Sequence, residues 1–229
     1  MGLVRKICVL LALTVLGSGI LHFLPVSDEI HVAIAGPFLG VEASRAHLPD
    51  YRSPGGRLFA FLHVFGGLAW FVLAFLQTDE ERRSKDIQSH RTRGVIACII
   101  LIISMATLTW SALIHVPFQN MIFDRHLERW TTLIMAPIIA ILAFAGWMLA
   151  HNKQVPTHRR VMTRVIGYSL FPGVIRVFWA IYNLGFASSN MSLGQMKTNF
   201  GICFVLTMIL TIIQTEVYVW VNEVVAFKK

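Results

Sequence analysis

Charge is scarce in this chain: Asp, Glu, Lys and Arg make up 14% of its 229 residues, and only 12 of them are acidic against 20 Lys and Arg. Soluble domains carry about 25% charged residues, so an ordinary water-facing surface is excluded. Cysteine is scarce too. Cys8, Cys98 and Cys203 lie far apart, each inside an apolar stretch, which leaves neither a disulfide framework nor a CxxC metal site. There is also no low-complexity or charge-rich segment long enough to form a separate soluble domain. Recognition or chemistry must therefore reside in membrane helices or at their rims.

What is abundant is apolar side chain, at 55% of the residues. Six runs approach the ~20 residues a helix needs to cross a bilayer: 7–24, 58–77, 94–115, 130–150, 165–187 and 200–221. The expected fold is an all-α six-transmembrane-helix bundle, with residues 1–229 forming a single integral membrane domain. Gly17, Ser18 and Gly19 would also suit a signal-peptide cleavage site, but the first run continues through Leu24, longer than most signal cores.

Basic residues set the orientation, because cytoplasmic loops collect Lys and Arg. One side receives Arg5, Lys6, Arg82, Arg83, Lys85, Arg91, Arg93, Lys153, Arg159, Arg160, Arg164, Lys228 and Lys229; the other receives Arg45, Arg52, Arg57, Arg125, Arg129 and Lys197. Both termini are thus expected in the cytoplasm, with the plasma membrane as the setting. The formal charge of +8 is mostly this asymmetry, so a lipid bilayer is the expected partner and nucleic acid is not.

Two segments on the basic side nearly repeat each other: QSHRTRG at 88–94 and PTHRRVMTRVIG at 156–167. Each opens an apolar run with Ser or Thr, His and Arg. Ser89 and Thr157 are expected as N-caps, and His90 and His158, near the positive ends of two helices, as mainly neutral imidazoles. A neutral imidazole is a ligand or proton acceptor. The recurrence also makes the second plus third helices and the fourth plus fifth a weak parallel duplication.

Within the second run His63, Trp70 and Gln77 recur every seven residues, almost in line on one helical face. Gly66 and Gly67 lie beside that face, so it should meet protein rather than lipid. On the fifth run Arg164, Tyr168, Pro172, Arg176, Trp179 and Asn183 share a face. Arg176 falls past mid-membrane, where an arginine costs at least ~2.5 kcal/mol. It therefore demands a partner: Glu216 through a kink at Pro172 and Gly173, or the stripe Thr207, Thr211, Gln214, Tyr218 and Asn222. The apolar loop 27–57 is expected to lie across the outer rim, near His22, His115 and His126.

His63-x-x-Gly66-x-x-Ala69, Gln77, His90-Arg91-x-x-Gly94 and His158-Arg159-Arg160-x-Met162-x-Arg164, followed by Arg176, resemble the bacterial and fungal membrane proteins catalogued as domain of unknown function twenty-three-oh-six. The likeness covers the second to fifth helices, and its most specific part is the HRR-x-M-x-R run. Val161 stands where that family usually has an aromatic residue and Ile166 where it has Tyr. The resemblance implies a multi-pass helical protein and brings no activity with it.

The site candidates are therefore His63, Gln77, His90, His158, Arg159, Arg164 and Arg176. Three functions follow from them. In a transmembrane redox protein, haem b would take axial ligands from His63, His90 and His158 and set its propionates on arginines. In a permease or binder of a small anion or lipid headgroup, Arg176 and the basic rim supply counter-charge. In a non-catalytic assembly protein the polar stripes only pack helices.

Overall fold

The computed structural model of the chain describes residues 58, 61–114, 125–185 and 193–227. The expected first span 7–24, the loop 27–57 and both chain ends lie outside the described residues, as does the outer histidine cluster through His22, His115 and the side chain of His126.

Every regular element among the described residues is helical. A π-helical turn, Phe61–Phe65, leads into α1 (Gly66–Gln77), followed by the short α2 (Glu80–Lys85), α3 (Ile87–Ile114), α4 (Arg125–His151), α5 (Val155–Ser169), α6 (Phe171–Gly185) and α7 (Leu193–Phe227). Four stretches are long and apolar enough to cross a membrane: Ile87–Leu113, Arg129–His151, Val155–Trp179 and Thr198–Glu223, with Gly66–Gln77 as a shorter apolar helix. These helices are compatible with a multi-pass membrane protein.

The helices overrun the apolar stretches that announce them. α3 starts at Ile87, not 94, and α5 at Val155, not 165, because hydropathy measures only the hydrocarbon depth while a helix continues through the headgroup zone. The fifth span is also divided. Pro172 has no N–H to return to Tyr168, and the chain turns at Leu170, where Gly173 and Val174 N–H both reach the Leu170 carbonyl, at 2.9 and 3.1 Å.

Helix faces that meet each other are rich in small residues. Buried Ala136, Ile139, Ala143 and Gly146 line α4, and Ala97, Leu101 and Ser104 line α3; spacings of three and four keep each set on one face and let the backbones approach. The central core joins Trp70 and Ala74 of α1, Ala97 and Leu101 of α3, Ile139 and Ala143 of α4 and Val165 of α5. An aromatic cluster of Trp179, Phe200, Phe171, Phe204 and Tyr182 clamps α6 to α7, with Trp179 and Tyr182 stacked at 5.4 Å. Large apolar side chains such as Ile99, Ile103, Ile134, Ile141 and Leu210 point outward, where lipid is their natural solvent.

The packed pairs α1–α3, α3–α4 and α4–α5 are antiparallel. Gln77, ending α1, donates to the carbonyl of His90 near the start of α3. Arg129, opening α4, donates to the carbonyls of Ala112 and Leu113 at the end of α3, capping that negative end with a cation. His158, opening α5, meets Gly146 near the end of α4. The α1–α3 and α4–α5 turns therefore share one end of the bundle, which also gathers Arg83, Lys85, Arg91, Arg93, Lys153, Arg159 and Arg160.

The α4–α5 turn is tight. Lys153 takes φ 61°, while Gln154 N–H bonds Leu149 O at 2.9 Å and Lys153 N–H bonds Ala150 O at 3.1 Å. This is a Schellman ending with Lys at the left-handed position that usually takes glycine.

Candidate functional site

The two near-repeats open α3 and α5 in the same register. Asp86 caps α3, its Oδ1 accepting Ser89 N–H at 2.8 Å, and Gln154 precedes α5 with proline in the first turn and no side-chain cap. Ser89 and Thr157 are therefore not the N-caps expected of them; each lies three residues inside, because both helices begin earlier than their apolar runs. His90 N–H returns to Asp86 O at 3.2 Å and His158 N–H to Gln154 O at 2.9 Å, so each histidine is fourth after its boundary residue.

Each histidine also bonds to an earlier helix, His158 through its ring and His90 through its main-chain carbonyl. His158 Nδ1 lies 2.7 Å from Gly146 O; a carbonyl only accepts, so Nδ1 carries the proton, and in the neutral ring Nε2 keeps its lone pair. At the other copy Gln77 Nε2–H donates to His90 O at 2.9 Å, while the His90 ring Nδ1 is buried and has no hydrogen-bond partner. Arg93, three residues on and hence on the same face, has a buried Nε without a partner as well. Arg83, Arg93 and His158 are close enough to act on His90 electrostatically. A buried polar group left unpaired costs about 1–3 kcal/mol, and two of them side by side mark a place that a ligand or water completes.

Two acids of α7 are already engaged by arginines of α5. Arg164 holds Glu216 through Nε at 2.8 Å and Nη2 at 2.7 Å, and Tyr168 OH donates to the same carboxylate at 2.6 Å. Arg160 pairs with Glu223 at 2.9 Å. Two arginines one turn apart on α5 thus zip onto two acids two turns apart on the antiparallel α7. By contrast Arg91, Arg93 and Arg159 have no carboxylate partner among the described residues, so the described part of the basic end retains surplus positive charge.

His63 is apart from this group. It lies in the π-helical turn, where Ser104 Oγ donates to its main-chain carbonyl at 3.1 Å and sits 3.5 Å from its ring Nδ1. Fourteen residues separate His63 from Gln77, which is ~21 Å along a helix. The line His63, Trp70, Gln77 does face protein: Ser104, the central core and His90 in turn. Arg159 is exposed. Arg176 belongs to α6, but its side chain lies outside the described residues. The stripe expected on α7 is corrected beyond Thr211: Thr207, Thr211 and Thr215 are the buried hydroxyls, whereas Gln214, Tyr218 and Asn222 are exposed. Thr211 and Thr215 each donate to the carbonyl four residues back at 2.8 Å, so both are satisfied within their own helix. Among the described residues no group of three His, Cys, Asp or Glu is placed to hold a metal ion.

Exposed tryptophans give the depth of His158. Trp110 and Trp130 flank the α3–α4 end, and Trp147 and Trp220 lie toward the basic end. Trp130 and Trp147 are seventeen residues apart on α4, or ~26 Å, close to the ~30 Å hydrocarbon thickness. Trp side chains favour the membrane interface. Gly146 adjoins Trp147, so His158 lies near the end of its apolar span rather than at its middle.

No family model, curated protein or solved structure matches the chain. The features that sequence reasoning missed are Arg93, the Gly146 carbonyl and the pairing of Arg164 with Glu216. The spacing of Arg160 and Arg164 against Glu216 and Glu223 was a readable signal for the last; a main-chain acceptor has none.

Proposed function

We propose that the chain is a multi-pass plasma-membrane protein, with its basic end in the cytoplasm, that binds a small anion or lipid headgroup at His90, Arg93 and His158. The observation that carries this reading is the adjacency of two buried, partnerless nitrogens, His90 Nδ1 and Arg93 Nε, in a basic environment where Glu216 and Glu223 are already paired with Arg164 and Arg160. An anion gives Arg93 the acceptor it lacks and offsets the surplus charge. The HRR-x-M-x-R run supports placing the chain with the family it resembles, and Val161 and Ile166 would mark it as a divergent member.

Thermal unfolding of the purified protein in neutral detergent tests the proposal. At constant ionic strength, phosphate or sulfate should raise Tm relative to chloride, since a ligand at 100 times its Kd stabilises by about 2.7 kcal/mol. Arg93→Gln should remove the increment. Equal Tm values in all three salts would overturn the reading.

One observation favours haem b as a second reading. The Nδ1–H bond from His158 to Gly146 O is the arrangement that orients a ligating imidazole and leaves Nε2 free. His90 would supply the second axial nitrogen, and Arg93 and Arg159 would meet propionates; His63 is too distant to share that iron. Bound there, haem would supply one-electron transfer. A haem absorption band that His158→Ala abolishes would favour this reading, and a colourless, anion-binding protein would exclude it.

A further inference from the structure

We infer that the anion bound at His90, Arg93 and His158 is a terminal phosphomonoester rather than a singly charged phosphodiester; this rests on the anion reading above. The inference starts from the charge balance. Arg160 and Arg164 are neutralised by Glu223 and Glu216, while Arg91, Arg93 and Arg159 open the same two helices without a carboxylate partner among the described residues. A phosphodiester returns one negative charge to this end. A phosphomonoester returns about 1.5 to 2 near neutral pH and presents three terminal oxygens.

The groups arrayed around the site match that number of oxygens. Arg93 Nε–H is a fixed donor with no acceptor, and His90 Nδ1 is an unpaired ring nitrogen one turn away. The third group is the His158 ring, which is close enough to His90 to act on it electrostatically. Its Nδ1 is anchored to Gly146, so its Nε2 is the nitrogen left for a ligand, accepting from a protonated phosphate oxygen or donating when the ring is charged. A diester, with two of its oxygens esterified and turned away, satisfies fewer of these groups.

Depth bears on the source of the phosphate. His158 lies near the end of its apolar span, where a monoester lipid headgroup arrives from within the leaflet and free phosphate from the cytoplasm. Both present the same chemistry to the three side chains.

The test uses the full chain in phosphatidylcholine nanodiscs containing phosphatidic acid or phosphatidylglycerol, with retained lipid counted by native mass spectrometry after release. Phosphatidic acid should be retained about tenfold over phosphatidylglycerol, the scale of one charge-assisted hydrogen bond. Arg93→Gln and His90→Ala should each erase the preference; Arg93→Lys, which keeps the charge but not the Nε–H, should weaken it and guards against misreading a misfolded variant. Inorganic phosphate that displaces phosphatidic acid would show a site open to both sources. Inorganic phosphate bound without any preference among lipids would assign the site to the free ion and overturn the monoester, leaving the anion reading standing. Equal retention of both lipids with no phosphate binding would overturn the monoester and leave the anion reading standing. A wild-type protein that retains neither lipid and binds neither phosphate nor sulfate would overturn both.

Discussion

His158 Nδ1 lies 2.7 Å from the carbonyl oxygen of Gly146, so the side chain that opens α5 is held by the main chain that closes α4. The two helices approach closely here: a Cβ at residue 146 would meet Met162 Sδ at 2.5 Å.

That crowding predicts an ordering of two glycine substitutions. At Gly146 the obstacle is the end of a flexible methionine, which can turn aside. At Gly167 a Cβ would run into Thr215, whose Cγ2 is 2.5 Å away and whose hydroxyl is already tied to Thr211 O. Gly167→Ala should therefore cost about 1–3 kcal/mol and Gly146→Ala clearly less, measured by thermal unfolding in detergent. Thr215→Ala should restore much of the Gly167→Ala loss, and failure to do so would show that α5 and α7 do not meet here.

Much of this arrangement was legible in the sequence, for reasons that differ from residue to residue. The two Ser/Thr-His-Arg stretches correctly mark α3 and α5 starting at one end, because basic residues and helix periodicity are both local signals. The caps were misplaced because hydropathy stops where hydrocarbon stops, whereas Asp86 and Gln154 begin their helices in the polar zone. Thr207 and Thr211 read as partners for Arg176, yet Thr211 donates to Thr207 O, an outlet that a hydroxyl on a helix always has. Glu216 was offered to Arg176 only by way of a kink. Arg164, three turns nearer the basic end, takes it directly, and the break at Leu170 lies between the two arginines. The Gly146 carbonyl could not be foreseen, since every residue has one.

The ion pair between Arg164 and Glu216 should be worth more than a surface pair. It is bidentate and shares its carboxylate with Tyr168, although 29% and 40% of the two side chains remain accessible. Allowing for that exposure, a double-mutant cycle with Arg164→Gln and Glu216→Gln should give a coupling on the order of 1 kcal/mol. Each single change leaves a charge at the membrane edge and should lower Tm more than the double change does. A coupling near zero would reduce the zipper to incidental proximity.

Cysteine accessibility will fix the topology. In a background without the three native cysteines, single cysteines at Ser84 and Asn152 should react only with reagent on the cytoplasmic side, and at Asp50 and Asn190 only with reagent outside. The reason is the crowding of Lys and Arg at the α1–α3 and α4–α5 turns. Labelling of Ser84 and Asn152 from opposite sides would contradict the antiparallel packing as well as the orientation.

The most direct measurement of the central claim, that α3 and α5 bring their histidines to one anion site, is the phosphate affinity of His90→Ala, His158→Ala and the double variant, determined by equilibrium dialysis on correctly folded protein. Residues that serve one ligand as a unit are non-additive. Each single change is expected to weaken binding by about tenfold or more, the scale of one hydrogen bond to a charged group, and the double change to be hardly worse than either. Two single variants that bind phosphate as tightly as the unaltered protein would contradict the account and leave the repeated Ser/Thr-His-Arg as a marker of orientation alone.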